Sequence, residues 1–389
     1  MLEITNYRNG QIVNRNHGTE TAQSLTVTVE GLADCAGRVL LNGQPVTACG
    51  RCFHGNVTLT DQFNRVTVSA DTPRGEYTQT ITLVWDKQAF ARYNFYIDDH
   101  SFVFTDIARE KPKSAFDHFY FKALQDIHNR YGTKFTLNCF YRNDHDEFYL
   151  RDFPDTYKEE FRANADWLRF SFHSYSEFPD RPYLESGAEE FGHDYELIRS
   201  EIERFAGAEA WIEPVVIHWA NVHPAVAQYL VEHGCRAYSR SYRPRVMGGP
   251  SLAQRQGTAS GIDLAQKTDA AFESYYDDGE EKSFLDDQRA FYNPTLGVFF
   301  FSGHCCCNLT PIPVIEERTR KVLEQSKRTG QLVYGLASHE QYSFPYYPNY
   351  IPDHLERIEI ACRLMYEAGC KPVFFAKGLL GNEVWERTS

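Results

Sequence analysis

The chain has 389 residues, 42% of them hydrophobic, enough to bury a large core in two domains or in one large domain with an appendage. Forty Lys and Arg against 53 Asp and Glu give a net charge of −13 with no basic stripe, which excludes phosphate-backbone binding as the main task and nucleic acid as the expected partner. No 18-residue apolar run is present to cross a membrane, and the start, MLEITNYRNG, lacks the charged-then-apolar layout of a secretory signal, so a soluble, cytoplasmic protein is expected.

Up to residue 90 the chain reads as short alternating segments: Ser24–Val29, Arg38–Leu41, Asn56–Thr60, Val66–Ala70 and Gln79–Trp85. Turn signals such as Asn42-Gly43 and Pro73-Arg74-Gly75 separate them. This pattern predicts an Ig-like antiparallel β-sandwich over residues 1–90. A single Cys49-Gly-Arg-Cys52, with Cys35 upstream, reads as free thiols in a reducing compartment rather than as a metal or disulfide site.

From residue 91 strands and helices alternate. Phe95–Phe104 reads as a strand, Ser114–Arg130 as a helix, Lys134–Phe140 as a strand, Tyr157–Ala165 as a helix and Trp167–Phe172 as a strand. Helix Tyr195–Ala206, strand Glu213–Trp219, helix Pro224–His233 and strand Cys235–Ser241 follow. The last segments are strand Leu296–Ser302, helix Val314–Arg328, strand Leu332–Ala337, helix Asp353–Ala368 and strand Pro372–Ala376. About seven such repeats predict a (β/α) barrel over residues 91–389. The Gly-, Ser- and Asp-rich stretch 243–293 breaks the rhythm as a long insertion, expected to cover the pocket. Cys305-Cys306-Cys307 ends an apolar run, and strand alternation puts Cys306 on the face opposite its neighbours.

In such a barrel, reactive side chains gather where strands run into the loops of the carboxyl face. Asp98, Asp99 and His100 close the first strand, His173, Ser174 and Glu177 the third, His218 the fourth, and His339 with Glu340 a late one. Carboxylates and imidazoles brought together with room for water can hold a divalent metal that acidifies a bound water and polarises a carbonyl. A second carboxylate takes the water's proton, and a histidine across the pocket protonates the leaving amine. Neighbouring side chains diverge at a strand end, so one Asp can bind the metal while the other faces substrate. His100 is expected to orient a neighbour. Tyr342, Phe344, Tyr346, Tyr347 and Tyr350 form an aromatic run suited either to stacking on a sugar or to packing against the barrel.

Tyr96-Ile97-Asp98-Asp99, His173-Ser174-Tyr175-Ser176-Glu177 and Leu336-Ala337-Ser338-His339 resemble the motifs of the polysaccharide deacetylase superfamily, with its NodB-homology domain, over about residues 91 to 380. The resemblance implies a distorted (β/α) barrel of that type and removal of an acyl group, such as acetyl, from an amino sugar or related amide. It implies Asp98 as general base, His339 as general acid, and Asp99 and His173 as ligands of a divalent metal, zinc or alternatively Mn, Co or Ni. Glu177 stands where the family has its second ligand histidine, and no Arg-x-Pro-Tyr motif is present. The strand end with His218 occupies that place, so His218 is expected to touch substrate or add a ligand, with Glu340, Tyr342 and Arg181 as further substrate contacts. The expected partner is a carbohydrate or an N-acylated small molecule. The alternative reading is a non-catalytic carbohydrate-binding protein on a degenerate barrel of the same type.

Overall fold

The computed structural model describes residues 2–34, 38–72, 75–184, 186–220, 222–239 and 279–387. Most of the insertion expected at 243–293 and Cys35 lie outside the described residues. Of that insertion, Gly279–Gln288 is a helix and Ala290–Asn293 a strand. No helix of the described residues is long and apolar enough to cross a membrane.

The N-terminal strands pack two sheets face to face. Leu25–Ala33 shows why: Leu25, Val27, Val29 and Gly31 are buried while Thr28 and Glu30 between the last three are exposed, the period-2 pattern of a strand with one wet face. It pairs antiparallel with Cys52–Leu59, Leu2–Ile4 and Gly18–Glu20, and Cys52–Leu59 pairs onward with Thr47–Cys49. The second sheet holds Gln44–Pro45, Val39–Leu41, Phe63–Thr72, Gly75–Trp85 and Gln11–Val13. It continues through Ala290–Asn293, Val298–Phe301 and Ala237–Ser239 into an eight-stranded array. Residue 90 therefore marks a change of rhythm but no break in hydrogen bonding. A bare strand edge needs partners for its N–H and C=O groups, and the later chain covers the edge at Gln11–Val13. Buried Arg92 closes the seam: it donates to Asp86 at 2.9 Å and to the carbonyls of Leu380 and Leu379 at 2.7 and 3.0 Å.

A parallel sheet runs Leu168–Ser174, Phe135–Phe140, Arg92–His100, Val333–His339 and Cys305–Cys306, with Lys371–Pro372 joining Arg92–His100. Helices including Phe119–Tyr131, Ala188–Phe205, Ile312–Thr329 and His354–Glu367 contribute buried residues to the core around it. Gly132 and Gly330 end two of these in left-handed conformation at φ 68° and 75°. The mixed α/β character expected beyond residue 90 is present.

The expected strand Glu213–Trp219 does not form, because Pro214 has no N–H to give a ladder. Its irregular backbone still makes single bonds to both sides: Ile212 N donates to Phe170 O at 3.0 Å, and Ser239 N donates to Val215 O at 2.7 Å. At the opposite edge His304 N donates to Gly335 O at 2.9 Å. Gly303 and Gly335 make this approach possible, since a Cβ on Gly335 would lie 3.0 Å from Gly303 Cα.

Candidate metal centre

All nine residues of Arg92–His100 are buried, including Asp98, Asp99 and His100. In a regular strand Asp98 and Asp99 would point to opposite faces. Here the register shifts between Ile97 and His100, and Asp99 takes φ 68°, a left-handed conformation that Asp tolerates better than most residues. Both carboxylates consequently reach one imidazole: Asp98 Oδ1 lies 3.9 Å from His173 Nδ1, and Asp99 Oδ1 lies 3.1 Å from His173 Nε2.

His218 completes the group. Its Nδ1 is 3.1 Å from His173 Nε2 and 3.8 Å from Asp99 Oδ1, so one oxygen and two nitrogens face a common point. The Nε2–H of His218 donates to the carbonyl of Glu177 at 3.0 Å, which leaves the Nδ1 lone pair aimed inward. Asp99 Oδ2 accepts from Gln341 Nε2 at 2.8 Å, while the buried Oδ1 makes no hydrogen bond. A buried carboxylate oxygen without a donor, beside two imidazole nitrogens, fits a divalent cation of the zinc or manganese kind. The backbone is strained just past His218, where Trp219 and Ala220 hold φ 67° and 54°.

The charges are divided within this group. Burial opposes the Asp99 carboxylate, but His339, His173 and His218 outweigh it and hold the group well below the usual carboxylate range. Burial pushes Asp98 above that range, against His173, His339 and the 2.6 Å hydrogen bond from Asn138 Nδ2. His218 is driven down to about 3 by burial and the neighbouring His173. His173 is raised, because Asp98 and Asp99 outweigh its burial.

His339 lies beside Asp98 in the parallel register of Val333–His339 with Arg92–His100. Its Nδ1 donates to Asn308 Oδ1 at 3.0 Å and lies 3.7 Å from Cys306 Sγ, which leaves Nε2 for the pocket. Cys306 is thus on this side while its strand neighbour Cys305 is buried on the other, as alternation requires, and Cys307, which begins a short 3-10 turn, is buried with Cys305.

Three expected contacts fall elsewhere. The Glu177 carboxylate turns away from the trio and pairs with His145, and its backbone carbonyl serves the site through His218. Glu340 is fully buried and faces the helix Phe102–Glu110 instead of a substrate: it accepts from the N–H groups of Ser101, Phe102 and Val103 at 2.8 to 2.9 Å. Burial lifts it to about 8, against the pull of these three donors. Arg181 lies over the Trp219 ring at 5.8 Å, one layer beyond His218. Tyr342 does border the site, edge-on to His339 with ring centres 6.3 Å apart. His100 faces away and bonds the Tyr120 hydroxyl at 3.0 Å.

Asn138, Gln341, Asn308 and His145 were not marked by the sequence pattern. Asn138 carried the best available signal, a lone amide inside the apolar run FTLNCF. A second cluster, Asp106, Glu110 and His118, has comparable spacing but unsuitable chemistry. The Nδ1 of His118 accepts from Tyr120 N, so its Nε2 carries the proton in the neutral ring and faces Asp106 at 3.6 Å as a donor.

Comparison with protein-family models gives no match, and a search of curated proteins gives none either.

Proposed function

We propose that the chain is a metal-dependent amide hydrolase, of the polysaccharide deacetylase type, that frees an amine from an acylated amino sugar or related amide. The parallel sheet, with single backbone bonds at its edges, supports reading this part of the chain as a distorted (β/α) barrel of that type. The observation that carries the proposal is the convergence of Asp99 Oδ1, His173 Nε2 and His218 Nδ1, with the tautomer of His218 fixed by a backbone carbonyl. A bound divalent ion would supply a Lewis acid for the carbonyl and lower the pKa of water.

The chain's own residues supply the proton chemistry. Asp98 is held outside the ligand trio by Asn138, and its raised proton affinity suits it to accept a proton from the attacking water. His339 gives its Nδ1–H to Asn308, so Nε2 faces the pocket and, in the imidazolium form, would deliver its proton to the departing nitrogen and leave the neutral Nδ1–H ring. Gln341 keeps Asp99 turned toward the two histidines. A carboxylic acid and a free amine leave.

Elemental analysis of the purified full chain, paired with a screen of N-acetylated and other N-acylated sugars, tests the proposal. One divalent ion per chain and amine release are expected. A chain that neither retains an ion after dialysis against zinc nor releases amine from any amide would sink it.

A further inference from the structure

The first sheet carries a pair of thiols that the metal chemistry leaves unused. Of the nine described cysteines only Cys49 and Cys52 are exposed, and both are free thiols. They face each other in register, because Thr47–Cys49 pairs antiparallel with Cys52–Leu59 across the two-residue loop Gly50-Arg51. Directly opposed residues point to the same side of a sheet, and the pair closing such a loop has Cα atoms about 5.5 Å apart, inside the span of a disulfide. Alternation decides which side this is: Phe53 is buried, so its neighbour Cys52 turns outward.

The turn is both held and open. Gly50 takes φ 62°, the left-handed conformation that a tight hairpin loop uses. Arg51 accepts from Ala33 N through its carbonyl at 2.7 Å, and its guanidinium donates to Asp34 Oδ2 at 2.8 Å. A Cβ on Gly50 would meet nothing within 4 Å, and Thr47–Cys49 is the outermost strand of its sheet among the described residues. A small reagent therefore reaches both thiols without any movement of the fold.

We propose that Cys49 and Cys52 are a reversible dithiol–disulfide couple that exchanges with small peptide disulfides of the glutathione type. One cysteine thiolate attacks a sulfur of the incoming disulfide, breaks its S–S bond and releases the first thiol. The second cysteine then attacks the mixed disulfide, forms the Cys49–Cys52 bond and releases the second thiol. The chain gives up two electrons and two protons, and the incoming disulfide takes both up as two thiols. A bond across so short a loop constrains the unfolded chain less than a longer link would, so it serves exchange rather than stability. The couple belongs to the sandwich and stands independently of the hydrolase reading.

Oxidised glutathione added to the native full chain, followed by alkylation of the remaining thiols and tryptic digestion, tests the couple by mass spectrometry. Trypsin cuts after Arg38, Arg51 and Arg65, so peptides 39–51 and 52–65 stay joined only through Cys49 and Cys52, while Cys35 reports separately in peptide 16–38. The joined peptides are expected, with two hydrogens lost from the intact mass and full reversal by excess reduced glutathione. Cys49→Ser should instead carry one glutathione on Cys52, because no second thiol resolves the mixed disulfide. The same joined peptides should form in Cys35→Ser. The couple is overturned if Cys35 bonds to either cysteine, if Cys49 and Cys52 each keep a glutathione, or if both are still alkylated after exposure to excess oxidised glutathione.

Discussion

At the scale of single residues, the two adjacent aspartates differ in what holds them. Asp99 is fixed by Gln341 and faces two imidazoles, whereas Asp98 is fixed by Asn138 and is pushed by burial toward the protonated form. Asp99→Ala should release the metal. Asp98→Asn keeps shape and removes basicity, so metal should stay while turnover falls by roughly two to four powers of ten, the usual loss for a general base. Identical behaviour of the two variants, read by elemental analysis and amine release, would refute this division. The third ligand is tested separately. His218→Ala should lose metal as fully as His173→Ala, while Glu177→Gln should keep it, because the backbone carbonyl of residue 177 serves the site. Metal retained in His218→Ala but lost in Glu177→Gln would restore Glu177 as the ligand. The sequence did mark Asp98, Asp99, His173 and His339, since acids and histidines at the ends of apolar runs stand out. It misassigned Glu177 because a loop's course, not its spacing, decides which way a carboxylate turns.

At the scale of elements, the strand Arg92–His100 and the helix that follows it are joined by Glu340. The first N–H groups of a helix have no partner within it, and here a buried carboxylate from another strand end accepts three of them. In Glu340→Gln, one acceptor oxygen becomes an NH2 facing N–H donors, which should cost about 1 to 3 kcal/mol of stability. Urea denaturation checks this, and a midpoint equal to the parent's would show that the cap is dispensable. The same strand explains what its sequence concealed. FYIDDH alternates too poorly for a simple strand, and only the bulge at Asp99 reconciles burial of both acids with one shared pocket.

At the scale of the whole molecule, stability should fall in acid for a reason visible in the core. His304 and His354 are 9% and 1% exposed and are held down to about 3, mainly by burial. Both fold as neutral rings, so their contribution is present above the ordinary histidine value near 6.5. It is lost as pH falls from there toward 3, while the unfolded chain takes up protons, at about 1 kcal/mol per pH unit for each group. Urea midpoints between pH 7 and 5 should show the slope, and His304→Leu should flatten it. An unchanged slope would remove His304 from the account. A chain lacking residues 1–90 should fail to give a soluble monomer by size exclusion, since it would strip Asp86 from buried Arg92 and bare the edge of Ala290–Asn293. A well-folded truncation would show that the shared sheet is not needed.

The sequence by itself determined what local pattern controls. It placed several of the alternating strands before residue 90, much of the helix–strand rhythm after it though not the strand Glu213–Trp219 or the helix that begins at Phe102, the face of Cys306, and the acid and histidine positions at strand ends. These follow from side-chain periodicity and from the cost of burying a charge, which act over a few residues. Only the tertiary structure decided that strands beyond residue 200 complete a sheet begun at Gln11–Val13, and that His218 rather than Glu177 meets Asp99 and His173. It also decided that Glu340 caps a helix and that Tyr346 lies flat on Phe102. Each of these joins residues tens to hundreds of positions apart. Their partners are chosen by which edges, lone pairs and N–H groups are left unsatisfied once the chain has closed on itself.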